Sequence, residues 1–95
     1  MIRLHQESPR FDLGSTFATI NAVAAFASEV LVECLRRHAS CDWGDLGEEE
    51  TSANERALLT GGRLSSRYSL PDAGKLWVIT EHDRSATTLL LPQDY

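Results

Sequence analysis

At one point in this chain, Gly61-Gly62, the spacing of apolar residues changes from a helical repeat to strict alternation. Helical side chains share a face about every 3.6 residues and strand side chains every second residue, so the change separates a helical half from a sheet half. Over residues 20–38, Val23, Ala24, Ala27, Val30, Leu31, Cys34, Leu35 and His38 fall on one stripe at three- and four-residue steps. Residues 48–59 form a further helix, acidic in its first turn as the helix dipole prefers, with Ala53, Ala57 and Leu58 as its apolar face and Gly61-Gly62 as its stop. Beyond the glycines, Leu64, Ser66, Tyr68 and Leu70 alternate with Arg63, Ser65, Arg67 and Ser69. Pro71 and Gly74 bracket a turn. Residues 75–81 are apolar on both faces (Leu76 and Val78 against Trp77 and Ile79), which marks a central strand. A turn over 82–85 leads to a last strand, 86–91, ended by Pro92.

Before the first helix, Phe11, Leu13 and Phe17 at odd positions suit a short half-buried strand over 11–18, with Gly14 as a bulge. Thr19 is the N-cap candidate, and Ser28 with Glu29 can cap a second helix, so residues 20–38 hold one helix or two. Arg36, Arg37 and His38 complement the negative end of the helix dipole. The expected fold is α+β, in the order β-α-α-β-β-β, with a C-terminal three-stranded antiparallel meander packed on two helices. Residues 1–10 form a flexible N-terminal arm and 11–95 a single domain.

Charge narrows the functional classes. The net charge is −5, and residues 42–55 hold six carboxylates with no Lys or Arg. A nucleic-acid binder needs a basic footprint that displaces counterions from phosphates, and this chain has none, so no direct nucleic-acid contact is expected. An acidic face meets a basic protein surface instead. No run approaches the length of a membrane span, and the first ten residues lack the apolar core of a secretory signal, so no membrane contact and a cytoplasmic location are expected. Cys34 and Cys41 are read as reduced thiols.

Asp42-Trp43-Gly44-Asp45-Leu46, followed by Glu48, Glu49 and Glu50, is the stretch least required by a minimal fold. One reading has Asp42 or Asp45 capping the next helix while Trp43 fills the core. Another makes Asp42, Trp43, Asp45, Glu48, Glu49 and Glu50 a partner surface anchored on the tryptophan, with Arg84 as an ion-pair partner for the acidic segment. A hard-metal site at Asp42, Asp45 and Glu49 lacks the regular ligand spacing of a calcium loop. Cys34, His38 and Cys41 fall short of the four ligands of structural zinc. Residues 81–85 concentrate titratable groups in one turn, where neighbouring side chains diverge, unlike a catalytic triad drawn from separated segments. The order of elements invites comparison with small ribonuclease toxins, but those are basic.

Asp42-Trp43-Gly44-Asp45-Leu46, Glu49-Glu50, Asn54, Ala57-Leu58, Gly62-Arg63-Leu64, Ser66, Tyr68, Trp77, Ile79-Thr80-Glu81, Asp83-Arg84-Ser85, Thr87-Thr88, Leu90-Leu91-Pro92 and Tyr95 together resemble a family of small plasmid-related and integrative-element proteins, some labelled type I restriction subunits. The resemblance covers 42–95. It departs at Cys41, where the family pattern expects glycine, at Ser65, where it expects leucine, and in a longer 71–74 turn. It carries no catalytic residue. It implies a mobile-element setting in which anti-restriction and anti-CRISPR proteins are common. The expected function is a non-enzymatic acidic module without cofactor or metal. It binds a protein partner such as a host defence nuclease complex. The rivals are a metal-dependent hydrolase using Asp42, Asp45 and Glu81, and a structural homodimer joined through an edge strand such as 86–91.

Overall fold

Thr19 begins the first helix as its spacing predicts: its hydroxyl accepts from the Ala22 amide at 3.1 Å and donates to Asp94 Oδ2 at 2.7 Å. In the computed structural model, which describes residues 9–71 and 74–95, the chain forms an α+β fold. Its elements are β1 (Ser15–Ala18), α1 (Ile20–Ala25), α2 (Ser28–Ala39), α3 (Glu48–Thr60), β2 (Leu64–Leu70), β3 (Gly74–Thr80) and β4 (Ala86–Leu90), closed by a single 3₁₀ turn over Pro92–Asp94. The proposed arm over 1–10 falls mostly on residues 1–8, outside the described residues, as do Asp72 and Ala73 of the 71–74 turn.

Residues 20–38 hold two helices, broken at Phe26-Ala27, both in extended backbone. Ser28 and Glu29 do not cap the second; Ala27 occupies the N-cap without a side-chain bond. The break redirects the stripe. Phe26 and Cys34 enter the core with Val30, Leu31 and Leu35 packed against it, whereas Val23, Ala24 and Ala27 lie exposed. His38 is fully buried, and desolvation holds its imidazole near pKa 4, so it does not serve the helix dipole as a cation.

The sheet is mixed, in the order β1-β4-β3-β2. β2, β3 and β4 make the expected antiparallel meander, with Tyr68 opposite Leu76 and Val78 opposite Leu89. β1 runs parallel to β4, Phe17 opposite Thr88. β4 therefore lies inside the sheet, and the edges among the described residues are β1 and β2, which corrects the reading of 86–91 as an edge. β1 is also shorter than the expected 11–18 strand, and all four of its residues are exposed. Gly14 makes no bulge; it takes φ +64°, where a Cβ would collide with the Arg84 and Ser85 carbonyl oxygens.

The inner face of the sheet carries Leu64, Ser66, Tyr68, Leu76, Val78, Thr80, Thr87 and Leu89, all buried. One apolar cluster joins Ala22, Phe26 and Cys34 to Tyr68, Leu76, Val78 and Leu89, and a second joins Trp43, Ala57 and Leu64. Between them runs a polar chain. Thr87 donates to the Leu13 carbonyl at 2.7 Å, and Thr80 and Thr87 hydroxyls lie 2.7 Å apart. Thr87 has spent its proton, so Thr80 donates to Thr87, and His38 donates from Nε2 to Thr80 at 2.9 Å. Its Nδ1 then accepts from Ser66 at 2.6 Å. Each member is satisfied with a neutral imidazole, which is what a buried network requires.

Candidate functional site

The acidic loop starts where α2 ends. The Asp42 amide reaches back to the Arg37 carbonyl at 2.9 Å and the Cys41 amide to the His38 carbonyl at 3.0 Å, a Schellman closure. Cys41 occupies its left-handed position with φ 65°, which is where the family resemblance expects glycine. The loop then lies along β2. The Arg67 amide donates to the Trp43 carbonyl at 3.1 Å, the Asp45 amide to the Arg67 carbonyl at 2.7 Å, and Tyr68 Oη to the Asp42 carbonyl at 2.6 Å. Gly44 sits at φ +75°, and any Cβ there would collide with the Arg67 carbonyl oxygen.

Trp43 points inward. Only 5% of it is exposed, its ring lies among Phe11, His38, Ala57 and Leu64, and its Nε1 donates to Glu55 Oε2 at 3.0 Å. It is therefore a strut for the loop and no surface anchor, a correction that follows from the apolar ring finding a core slot between α2, α3 and β2. Asp42 caps nothing on α3. It takes a bidentate pair from Arg37, at 2.7 and 3.2 Å, and that guanidinium holds its carboxyl below the usual range. Gly47 is the N-cap of α3, its amide donating to Glu50 Oε1 at 3.4 Å, and Glu50 Oε2 pairs with Arg67 at 3.0 Å.

Asp45, Glu48 and Glu49 remain exposed, and no ion pair reaches them among the described residues. Arg84 does not approach this segment. It stands at φ 61° and spends its guanidinium on backbone carbonyls: Gly62 at 2.6 Å, Ala57 at 2.9 Å, and Glu81 and His82 at the turn. Ala57 also receives the amides of Gly61 and Gly62, so Arg84 closes the C-terminus of α3. Sequence reasoning missed Arg37, Glu55 and Arg67 as the residues that hold the loop. The outward position of Arg67 in the β2 alternation was the available signal.

The metal reading loses its ligand set. Asp42, Asp45 and Glu81 do not converge, and no group of three or more His, Cys, Asp or Glu is placed to hold a metal among the described residues. Glu81 instead lies 3.9 Å from Arg63. Both His38 nitrogens are occupied by hydroxyls, which closes the Cys34–His38–Cys41 alternative as well. No described helix is long and apolar enough to cross a membrane. Comparison with protein-family models, with curated proteins and with solved structures gave no match.

Proposed function

We propose that the chain is a non-enzymatic acidic module that binds a basic protein surface through Asp45, Glu48 and Glu49, with Asp42 and Glu50 flanking them. One observation carries this reading: the loop is tied to α2, α3 and β2, so carboxylates without an ion pair among the described residues stand on backbone already held in place before any partner arrives. A preorganised charged surface spends little ordering entropy on binding, and complementary charge raises association rate and selectivity. The resemblance over 42–95 to plasmid and integrative-element proteins directs the choice of partner. In this reading the chain works in the cytoplasm on a host defence nuclease complex, as an anti-restriction or anti-CRISPR inhibitor.

The test compares the wild-type chain with Asp45→Asn, Glu48→Gln, Glu49→Gln combined, each immobilised in bacterial lysate. A nuclease complex retained by the wild type, weakened at least tenfold by the triple variant and released by salt, supports the reading. Equal capture by both proteins moves the contact elsewhere.

A further inference from the structure

The strand β1 leaves one edge of the sheet open among the described residues, and its backbone geometry is self-complementary. The Ser15 amide donates to the Ser85 carbonyl and the Thr19 amide to the Leu89 carbonyl, both toward β4 at 3.0 Å. Backbone groups of a strand alternate sides, so Thr16 and Ala18 turn their N–H and C=O outward. These two residues flank Phe17 symmetrically. A second copy placed antiparallel across a twofold axis at Phe17 therefore pairs Thr16 with its Ala18 and Ala18 with its Thr16. The two Phe17 rings then face each other at the central non-hydrogen-bonded site.

Side chains and charge point to the same occupant. Phe17 is 57% exposed, and Ile20 and Val23, one helical turn apart on α1, are 87% and 58% exposed. Natural edges refuse pairing by short length, Lys, Pro, bulges or inward charge; Ser15-Thr16-Phe17-Ala18 is short but has none of the others. Carboxylates stand at its ends: Asp12 accepts from the Gly14 amide at 3.2 Å, and Asp94 accepts from Thr19 and Asn21 at 2.7 Å. The acidic turn of α3 lies beside β2, tied there by Glu50 and Arg67, at the opposite sheet edge. That is three strand spacings away, about 14 Å. A chain of net charge −5 meets its own copy with less repulsion through a strand whose four side chains are uncharged than through the acidic turn of α3. Four residues make a short strand, so the exposed apolar side chains carry much of the affinity.

We propose that two copies associate through β1 into one continuous eight-stranded sheet, in the Thr16-to-Ala18 register. The test is sedimentation velocity on the full chain from about 10 μM to about 1 mM, a range that captures weak dimers. The wild type is expected to dimerise, and Phe17→Lys to weaken the dimer at least tenfold while its circular dichroism, and its Tm at concentrations where the wild type is monomeric, stay unchanged. Phe17→Cys in a Cys41→Gly background is expected to form an intermolecular disulfide under mild oxidation, and Ser15→Cys in that background is not. A wild type that stays monomeric throughout overturns the proposal. So does a dimer that Phe17→Lys leaves intact, or one that cross-links through Ser15→Cys alone.

Discussion

His38 donates from Nε2 to Thr80 Oγ1 at 2.9 Å, at the centre of a hydroxyl chain running from Ser66 to the Leu13 carbonyl. Burial without a carboxylate partner lowers its pKa from 6.5 to about 4. Between those values the unfolded chain binds a proton that the folded chain does not, so stability is full above pH 6.5 and falls as pH drops toward 4. The loss amounts to roughly 3 kcal/mol. Urea unfolding at pH 7.5, 6.5, 5.5 and 4.5 should follow that decline. His38→Gln should lower stability at neutral pH and flatten the slope between 6.5 and 5, so that its deficit against the wild type narrows as pH falls. Asp42, Asp83 and Asp94, whose pKa values are lowered by their hydrogen bonds, add their own loss only at more acid pH.

Trp43→Ala should cost about 3–5 kcal/mol in chemical denaturation, the range for a buried aromatic ring. Trp43→Phe should cost less, losing the bond to Glu55 but keeping most of the packing. Glu48→Gln with Glu49→Gln should change stability by less than about 1 kcal/mol, since both side chains are exposed and contribute mainly through the helix dipole. A binding defect in Trp43→Ala alone therefore reports on loop geometry, whereas one in the glutamate pair reports on contact.

Arg84→Ala should destabilise by about 3 kcal/mol, because its charged fork satisfies carbonyls at the end of α3. Arg84→Lys should recover less than half of this, since an ammonium cannot span the Gly62 and Ala57 carbonyls in the guanidinium's manner. Hydrogen exchange should accelerate at the Gly61 and Gly62 amides in both variants.

Cys41→Gly should raise stability by up to about 1 kcal/mol, relieving a left-handed residue at the end of α2 at the expense of some apolar contact. Gly44→Ala should have the opposite effect, lowering stability by about 3 kcal/mol or more, because a methyl meets the Arg67 carbonyl. Thermal unfolding of the two variants beside the wild type measures both.

The candidate site was legible as a place and illegible as a surface. Composition singled out 42–50, but Trp43 reads equally as core or anchor until its slot beside Phe11 and His38 is known. Arg84 shows only its charge in the sequence, and charge says nothing about whether the partner is a carboxylate or a ring of carbonyls. β4 read as an edge because the meander ends there. Its parallel pairing with β1 joins Phe17 to Thr88 across some 70 residues of chain, a contact no local pattern announces.

What the sequence by itself determined is local. The alternation of Leu64, Ser66 and Tyr68, the Thr19 cap, the Gly61 stop and the α+β class all follow from side-chain period and backbone preference within a few residues. The tertiary structure alone decided the parallel β1, the inward Trp43, the neutral His38 and the backbone-bound Arg84. Each of these depends on groups far apart in sequence: Trp43 with Glu55, His38 with Thr80, Arg84 with Ala57, Thr87 with Leu13. Periodicity reports which face a residue shares with its neighbours, while burial and hydrogen-bond partners are set by what the rest of the chain packs against that face.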